Sequence, residues 1–122
     1  MAHYVHLRIY TQAFAVLKEM YQRIPKFEKQ YKYFLGERMM EDCVSIIKSI
    51  IRANGLREKE PRQREIENLC LEIEMLITDL RIANELRQWR GEKQYLYLSE
   101  MAVDLAKQAE SWKKYVPQNA KS

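Results

Sequence analysis

Residues 66–89 read IENLCLEIEMLITDLRIANELRQW, and the reading of this stretch decides the fold. Ile66, Leu69, Ile73, Leu76, Leu80 and Ala83 recur at alternating steps of three and four. That spacing lines one face of an α-helix. Cys70 and Ile77 widen the stripe, and Glu67, Glu74, Arg81 and Glu85 fall on the far side. A helix of about 24 residues would run roughly 36 Å. Such a rod cannot bury its own stripe, so the rest of the chain has to supply its partners.

The partners are legible on both sides. Before it, a helix from about His6 to Ile24 carries Tyr10, Phe14, Leu17, Tyr21 and Ile24 in the same rhythm, with Val16 and Met20 beside them. Pro25 ends it, because proline has no N–H and disfavours helical geometry at the preceding residue. A second helix covers about Lys32 to Asn54, with Leu35, Met39, Cys43, Ile46 and Ile50 as its core stripe. Asn54-Gly55 is a stop of the kind that enters the left-handed region cheaply. Pro61 suits the first turn of the third helix, which extends over residues 61–90. Gly91 separates it from a fourth helix, Glu92 to Tyr115, striped by Tyr95, Leu98, Ala102, Leu105, Ala109 and Trp112, although Ser99 is another possible start. Residues 116–122 read as a frayed tail. The expectation is all-α: one domain over residues 1–122, an up-down-up-down antiparallel four-helix bundle with crossing angles of about 20°.

Composition agrees with a folded, helix-rich chain: 122 residues, 47% hydrophobic and 31% charged, with three glycines and three prolines. No apolar run approaches the roughly 20 residues a membrane span needs, and His6 and Arg8 break any signal-peptide core. The expected location is the cytoplasm, with no membrane partner. Cys43 and Cys70 fall among apolar positions and read as two reduced core thiols.

The net charge is +4 and the pI about 9.1, a hint of a polyanionic partner. In the expected topology, Lys26, Lys29 and Lys32 approach Arg87, Arg90 and Lys93 at one end, against Glu28 and Glu92. The other end gathers Arg52, Arg57, Lys59, Arg62, Arg64, Lys113 and Lys114 against Glu58, Glu60 and Glu65. Glu37, Glu41, Asp42, Glu72, Glu74 and Asp79 form an acidic waist. Segregated charge favours a polyanion over a merely solvated surface, and binding of that kind weakens steeply with salt. Tyr31, Tyr33 and Trp89 either stack on bases or close the end of the bundle. A second apolar row on helix 2, Met40, Val44, Ile47 and Ile51, marks either a subunit interface or the most buried helix.

Several chemistries have no residues to carry them. The two histidines, His3 and His6, make two ligands at most and precede all four helix cores. A di-iron bundle needs Glu-x-x-His on two helices, and helices 2 to 4 have no histidine. Neither cysteine has a histidine base nearby. There is no glycine-rich phosphate loop. The expectation is no catalytic residue, no metal and no cofactor.

The order of these features resembles a known family. Ile24-Pro25-Lys26 followed by Tyr33-Phe34-Leu35-Gly36 is similar to its helix 1–2 junction. Leu80-Arg81-Ile82-Ala83-Asn84-Glu85-Leu86 is similar to its helix 3 hallmark, and Tyr95, Leu98-Ser99 and Trp112 fit its last helix. The family comprises small bacterial four-helix bundles. One branch is encoded in intervening sequences of large-subunit ribosomal RNA genes. The other is Avd, the accessory variability determinant of diversity-generating retroelements. Where the ribosomal branch tends to carry Ala-Glu-Gly, this chain has Arg52-Ala53-Asn54-Gly55-Leu56-Arg57, so it resembles Avd more. The resemblance implies a homopentamer that binds the retroelement reverse transcriptase and RNA or DNA through basic surfaces. Together with the basic ends, it points to Lys26, Lys29, Lys32, Arg81, Arg87, Arg90 and Lys93 as phosphate or polymerase contacts. The alternative it leaves is the ribosomal branch, an oligomeric protein-interaction scaffold that binds no nucleic acid.

Overall fold

A computed structural model describes the backbone of residues 2–119 and the side chains of residues 4–114. Four long helices dominate: α1 (Arg8–Arg23), α2 (Glu37–Gly55), α3 (Lys59–Glu85) and α4 (Glu92–Asn119). A 3-10 turn, Ala2–His6, precedes α1, which therefore starts after the expected His6. A second 3-10 turn, Ile24–Lys26, contains Pro25 and ends α1 near where the proline predicts. Helical winding resumes at Lys29–Tyr31, earlier than expected, and passes through a π turn, Lys32–Gly36, before α2 proper. The fourth helix continues through Pro117 to Asn119, so residues 116–119 are helical rather than frayed; residues 120–122 lie outside the described part. No described helix is long and apolar enough to cross a membrane.

Each helix touches two others. α1 packs on α2 and α4, and α3 packs on α2 and α4. The bridging side chains run in opposite order along each pair. Between α1 and α4, Arg8 meets Asp104, Gln12 donates to the Met101 carbonyl and Tyr97 donates to Glu19. Between α2 and α3, Arg38 meets Asp79, Ser49 donates to Glu72 and Arg52 meets Glu65.

The α3 stripe is the core. Ile66, Leu69, Ile73, Leu76, Leu80 and Ala83 are all fully or almost fully buried, each large side chain contributing about 1.5–3 kcal/mol. The stripes expected for α2 and α4 also face inward; within them Tyr95 and Trp112 are half-buried. Helix α1 turns differently from expectation. Its buried row is Ile9, Ala13, Val16 and Met20. Of the expected row, Ile24 is buried and Tyr10 and Leu17 are half-buried against the core, whereas Phe14 and Tyr21 are 53% and 62% exposed. Both rows have the helical rhythm and differ by a shift of one residue. The row with the smaller side chains goes inside, where helix axes approach to about 8–10 Å. At the π turn, a Cβ on Gly36 would lie 2.5 Å from Ile24 Cγ2, so only glycine lets this turn seat against the end of α1.

The expectation that helix 3 runs on to Arg90 fails. The helix stops at Glu85, in a Schellman motif. The Gln88 N–H donates to the Ala83 carbonyl at 2.9 Å and the Arg87 N–H to the Asn84 carbonyl at 3.0 Å. Arg87 supplies the left-handed residue, with φ 59°. The chain then folds back, and Trp89 is buried with its indole N–H donating to the Leu80 carbonyl at 3.1 Å. Trp89 therefore closes the end of the bundle and is no stacking surface. Conversely, Gly55 ends α2 without entering the left-handed region; Leu56 follows in extended geometry.

Candidate nucleic-acid interface

The loop after α1 and the loop after α3 adjoin. Phe27 meets Trp89 edge to face, ring centroids 5.0 Å apart. Gln88, a buried amide, ties the loops together. Its Oε1 accepts from the Glu28 N–H at 2.8 Å, and its Nε2 donates to Glu28 Oε1 at 2.9 Å and to the Leu86 carbonyl at 2.8 Å. The sequence reading missed Gln88, because a single polar residue in a loop gives no periodic signal. Its place between Arg87 and an apolar Trp89 is the one clue available.

Around this staple stand the cations. Lys26 and Arg90 line one groove of about 280 Å³ with Gln22, Arg23, Gln88 and Gln94. The Arg90 N–H donates to Gln94 Oε1 at 3.0 Å, which fixes the loop as it enters α4. Arg87 is exposed on the same loop, and Lys93 is exposed in the first turn of α4. Lys29 is exposed and Lys32 half-buried on the turns that lead into α2. Arg81 is exposed about one turn before the end of α3 and does not line the groove. Among the described residues, none of these seven forms an ion pair. Glu28, one of the two acids at this end, is engaged by Gln88. Arg23 is the exception among the groove cations, held by Glu19 at 2.7 Å.

The opposite end is partly neutralised. Arg52 pairs with Glu65 at 3.4 Å and Lys113 with Glu110 at 4.0 Å. Arg62 lies over the Trp112 ring at 5.7 Å.

Of the acids expected at the waist, Glu37, Glu41 and Glu74 are exposed, whereas Asp42 and Glu72 are half-buried and Asp79 is buried. Asp79 is wholly buried, and its Oδ1 accepts from Arg38 Nε at 3.2 Å and Nη2 at 2.8 Å. Asp42 Oδ2 and Asp79 Oδ2 are both buried without a hydrogen-bond partner among the described residues. Burial, followed by the neighbouring Asp79 carboxyl, pushes the Asp42 carboxyl up to about 7. Glu72 is also raised, chiefly by burial, while accepting from Ser49 at 2.7 Å. Among the described residues no group of three histidine, cysteine or acidic side chains could hold a metal ion. Burial pushes the Cys43 thiol up to about 12 and the Cys70 thiol up to about 11, so both stay protonated at neutral pH.

The second apolar row of α2 is partly open. Val44 and Ile51 are exposed and Met40 and Ile47 half-buried. Tyr21 of α1 joins Met40 and Val44 along one cavity of about 400 Å³. Tyr21 of α1 and the Met40 and Val44 part of this α2 row thus lie side by side, with Glu41, Ser45 and Lys48 among them.

A comparison with curated proteins returns no match. The family model described as bAvd-like matches residues 8–116, which covers the first three long helices, both adjoining loops and all but the last turn of the fourth, and the chain belongs to that family.

Proposed function

We propose that this chain is a non-enzymatic accessory protein of a diversity-generating retroelement. It binds template RNA, or its DNA copy, while the reverse transcriptase copies that template with errors. The observation that carries this reading is the end built from the 26 and 90 loops. Lys26, Lys29, Lys32, Arg81, Arg87, Arg90 and Lys93 gather at or near it without an ion-pair partner among the described residues. The bundle in this reading is up-down-up-down and antiparallel, which is compatible with the order of the bridging pairs. Phosphate contacts hold the nucleic acid without reading its sequence. Family membership supports the retroelement context. The working location is the cytoplasm.

Filter binding with RNA at two salt concentrations tests it. Each phosphate neutralised contributes about −0.7 to the slope of log affinity against log salt on a single strand, so several contacts predict a steep loss. Absent or salt-insensitive binding overturns the proposal.

The open apolar row Met40, Val44, Ile47 and Ile51 on α2, with Tyr21 of α1 beside Met40 and Val44, supports assembly into a homopentamer. It also supports a second reading, an oligomeric protein-interaction scaffold without nucleic acid. Co-purification of a polymerase by a chain with no RNA affinity favours that second reading. Light scattering that finds a 14.7 kDa monomer at micromolar concentration defeats the assembly proposal.

A further inference from the structure

Phe34 is 81% exposed and Tyr33 is 54% exposed, at consecutive positions of the π turn Lys32–Gly36. An aromatic side chain gains from burial, and a helix beside an apolar core had the means to provide it. The turn is held the other way. Leu35 and Gly36 are buried, and Gly36 sits so close to Ile24 that a Cβ would fall 2.5 Å from Cγ2. With its inner side pinned, the turn presents Tyr33 and Phe34 to water. π turns inside helices are frequent at functional sites.

The surroundings choose the partner. The outward positions before and after the two rings are Lys29, Gln30, Glu37 and Arg38, all exposed. Lys29 and the neighbouring Lys32 have no ion pair among the described residues. A protein hot spot sits in a well-packed pocket shielded from water, whereas Tyr33 and Phe34 stand on an open turn. The mixed groove of Tyr21, Met40, Glu41, Val44, Ser45 and Lys48 lies elsewhere. Arg38 is held by Asp79 and Glu37 is acidic, so the unpaired cations beside the rings, among the described residues, are Lys29 and Lys32. Two exposed π faces next to them suit a ligand with phosphates and flat rings. A duplex hides its base faces inside the stack, so only unpaired bases can use them.

We propose that Tyr33 and Phe34 form a stacking platform for the bases of a single-stranded nucleic acid whose backbone follows Lys26, Lys29, Arg87 and Arg90. This rests on the nucleic-acid reading above and narrows it to single strands. The cations supply affinity for any strand; the rings supply preference for an unpaired one.

The test is fluorescence anisotropy of the full chain with a labelled oligouridylate and with an RNA duplex of the same length. Wild type, Tyr33→Ala/Phe34→Ala and Phe34→Trp are compared. The double variant should lose about tenfold to hundredfold on oligouridylate and keep its duplex affinity and its salt slope. Phe34→Trp should retain single-strand affinity, with its indole fluorescence quenched on binding. Equal loss on both ligands, or loss on neither, overturns the platform, as does a wild type that prefers the duplex. A double variant that keeps both affinities but no longer co-purifies with the polymerase assigns the rings to a protein contact instead. Wild-type binding to neither ligand is a different failure, that of the nucleic-acid reading itself. Both rings are exposed, so unchanged thermal melting of the variants is expected and separates binding from folding.

Discussion

At the turn after α3 an arginine holds the left-handed backbone position, whereas at the turn after α2 a glycine sits where no such position exists. Arg87 adopts φ 59°, a conformation that costs an ordinary residue about 1–2 kcal/mol. Gly55 has open space around it and is followed by extended backbone, so any residue would fit. The two ends of the bundle differ in the same sense in their charges. Near Gly55, Arg52, Arg62 and Lys113 are taken up by Glu65, Trp112 and Glu110. Near Arg87, Lys26 and Arg90 share a groove with no ion pair of their own among the described residues. Strain thus occurs at the end whose loop cations are all unpaired among the described residues, whereas the unstrained end has Arg52 and Lys113 paired and Arg57, Lys59, Arg64 and Lys114 unpaired. Residues in strained conformations cluster at functional sites, where the surrounding structure holds them in place.

The hold on the strained end is Trp89, and it gives the largest effect. Trp89→Ala removes a buried indole, its contact with Phe27 and its bond to the Leu80 carbonyl. A loss of about 3–5 kcal/mol is expected in urea denaturation. Trp112→Ala, half-buried under Arg62 at the other end, should cost about half as much. Trp89→Phe keeps most of the ring and loses the hydrogen bond, at about 1 kcal/mol. Equal costs for the two alanine variants would break the contrast between a closed end and an open one.

The next test sets charge against charge. Lys26, Lys29, Arg87 and Arg90 changed together to Ala should weaken RNA binding about hundredfold and flatten the salt slope by about 3. Arg57, Lys59, Arg64 and Lys114 changed together to Ala give a protein of the same net charge. That variant should bind within about threefold of wild type. Equal losses would mean that overall charge, and not the 26–90 end, attracts the polyanion.

How much of this contrast was legible beforehand follows from what periodicity can express. The α3 stripe was legible because each of Ile66 to Ala83 lands on one face and nothing competes with it. The α1 face was not, because Tyr10, Phe14, Leu17 and Tyr21 keep the same rhythm as Ile9, Ala13, Val16 and Met20. A shift of one residue leaves the pattern unchanged, and the larger side chains made the outer row look like the core. The meeting of the 26 and 90 loops was legible, since it follows from helix order alone. The stop at Glu85 was not: no glycine or proline occurs between Leu80 and Arg90, and an arginine in the left-handed position leaves no trace in composition. Gln88 escaped for the related reason that its value lies in two hydrogen bonds to a residue far away in sequence.

Between the ends, the α2–α3 contact supplies a control that depends on pH. Asp42 is raised to about 7 in the folded chain by burial and by Asp79, against about 3.9 for a free aspartate. The folded state therefore holds a proton that the unfolded state releases over this window. Stability from this group is full below about pH 4, falls as pH rises toward 7, and is flat above it. The slope cannot exceed about 1.4 kcal/mol per pH unit for one proton. Asp42→Asn keeps a donor toward Asp79 and carries no charge, so it should gain on wild type in urea melts as pH rises and lose most of the slope. Parallel curves for the two proteins would show that Asp42 and Asp79 do not share a proton. Neither basic end should respond to this substitution, because Asp42 lies on the α2–α3 contact and lines neither.

The smallest effects bear most directly on the opening contrast. Gly55→Ala should stabilise by about 0.5–1 kcal/mol, since it removes backbone freedom from the unfolded chain at a site with no steric demand. Arg87→Gly relieves the left-handed cost but adds freedom to the unfolded chain, so the net gain should also be about 0.5–1 kcal/mol. The two substitutions therefore look alike in a melting experiment and differ in binding. Gly55→Ala should leave RNA affinity and salt slope unchanged. Arg87→Gly should lower the slope by about 0.7, the share of one phosphate on a single strand. If Arg87→Gly gains stability and keeps the wild-type slope, the arginine is strained to no purpose in binding, and the strain at this end has to be explained by something other than phosphate. If it gains stability and loses the slope, the turn has kept a less stable residue because its charge stands where the ligand passes.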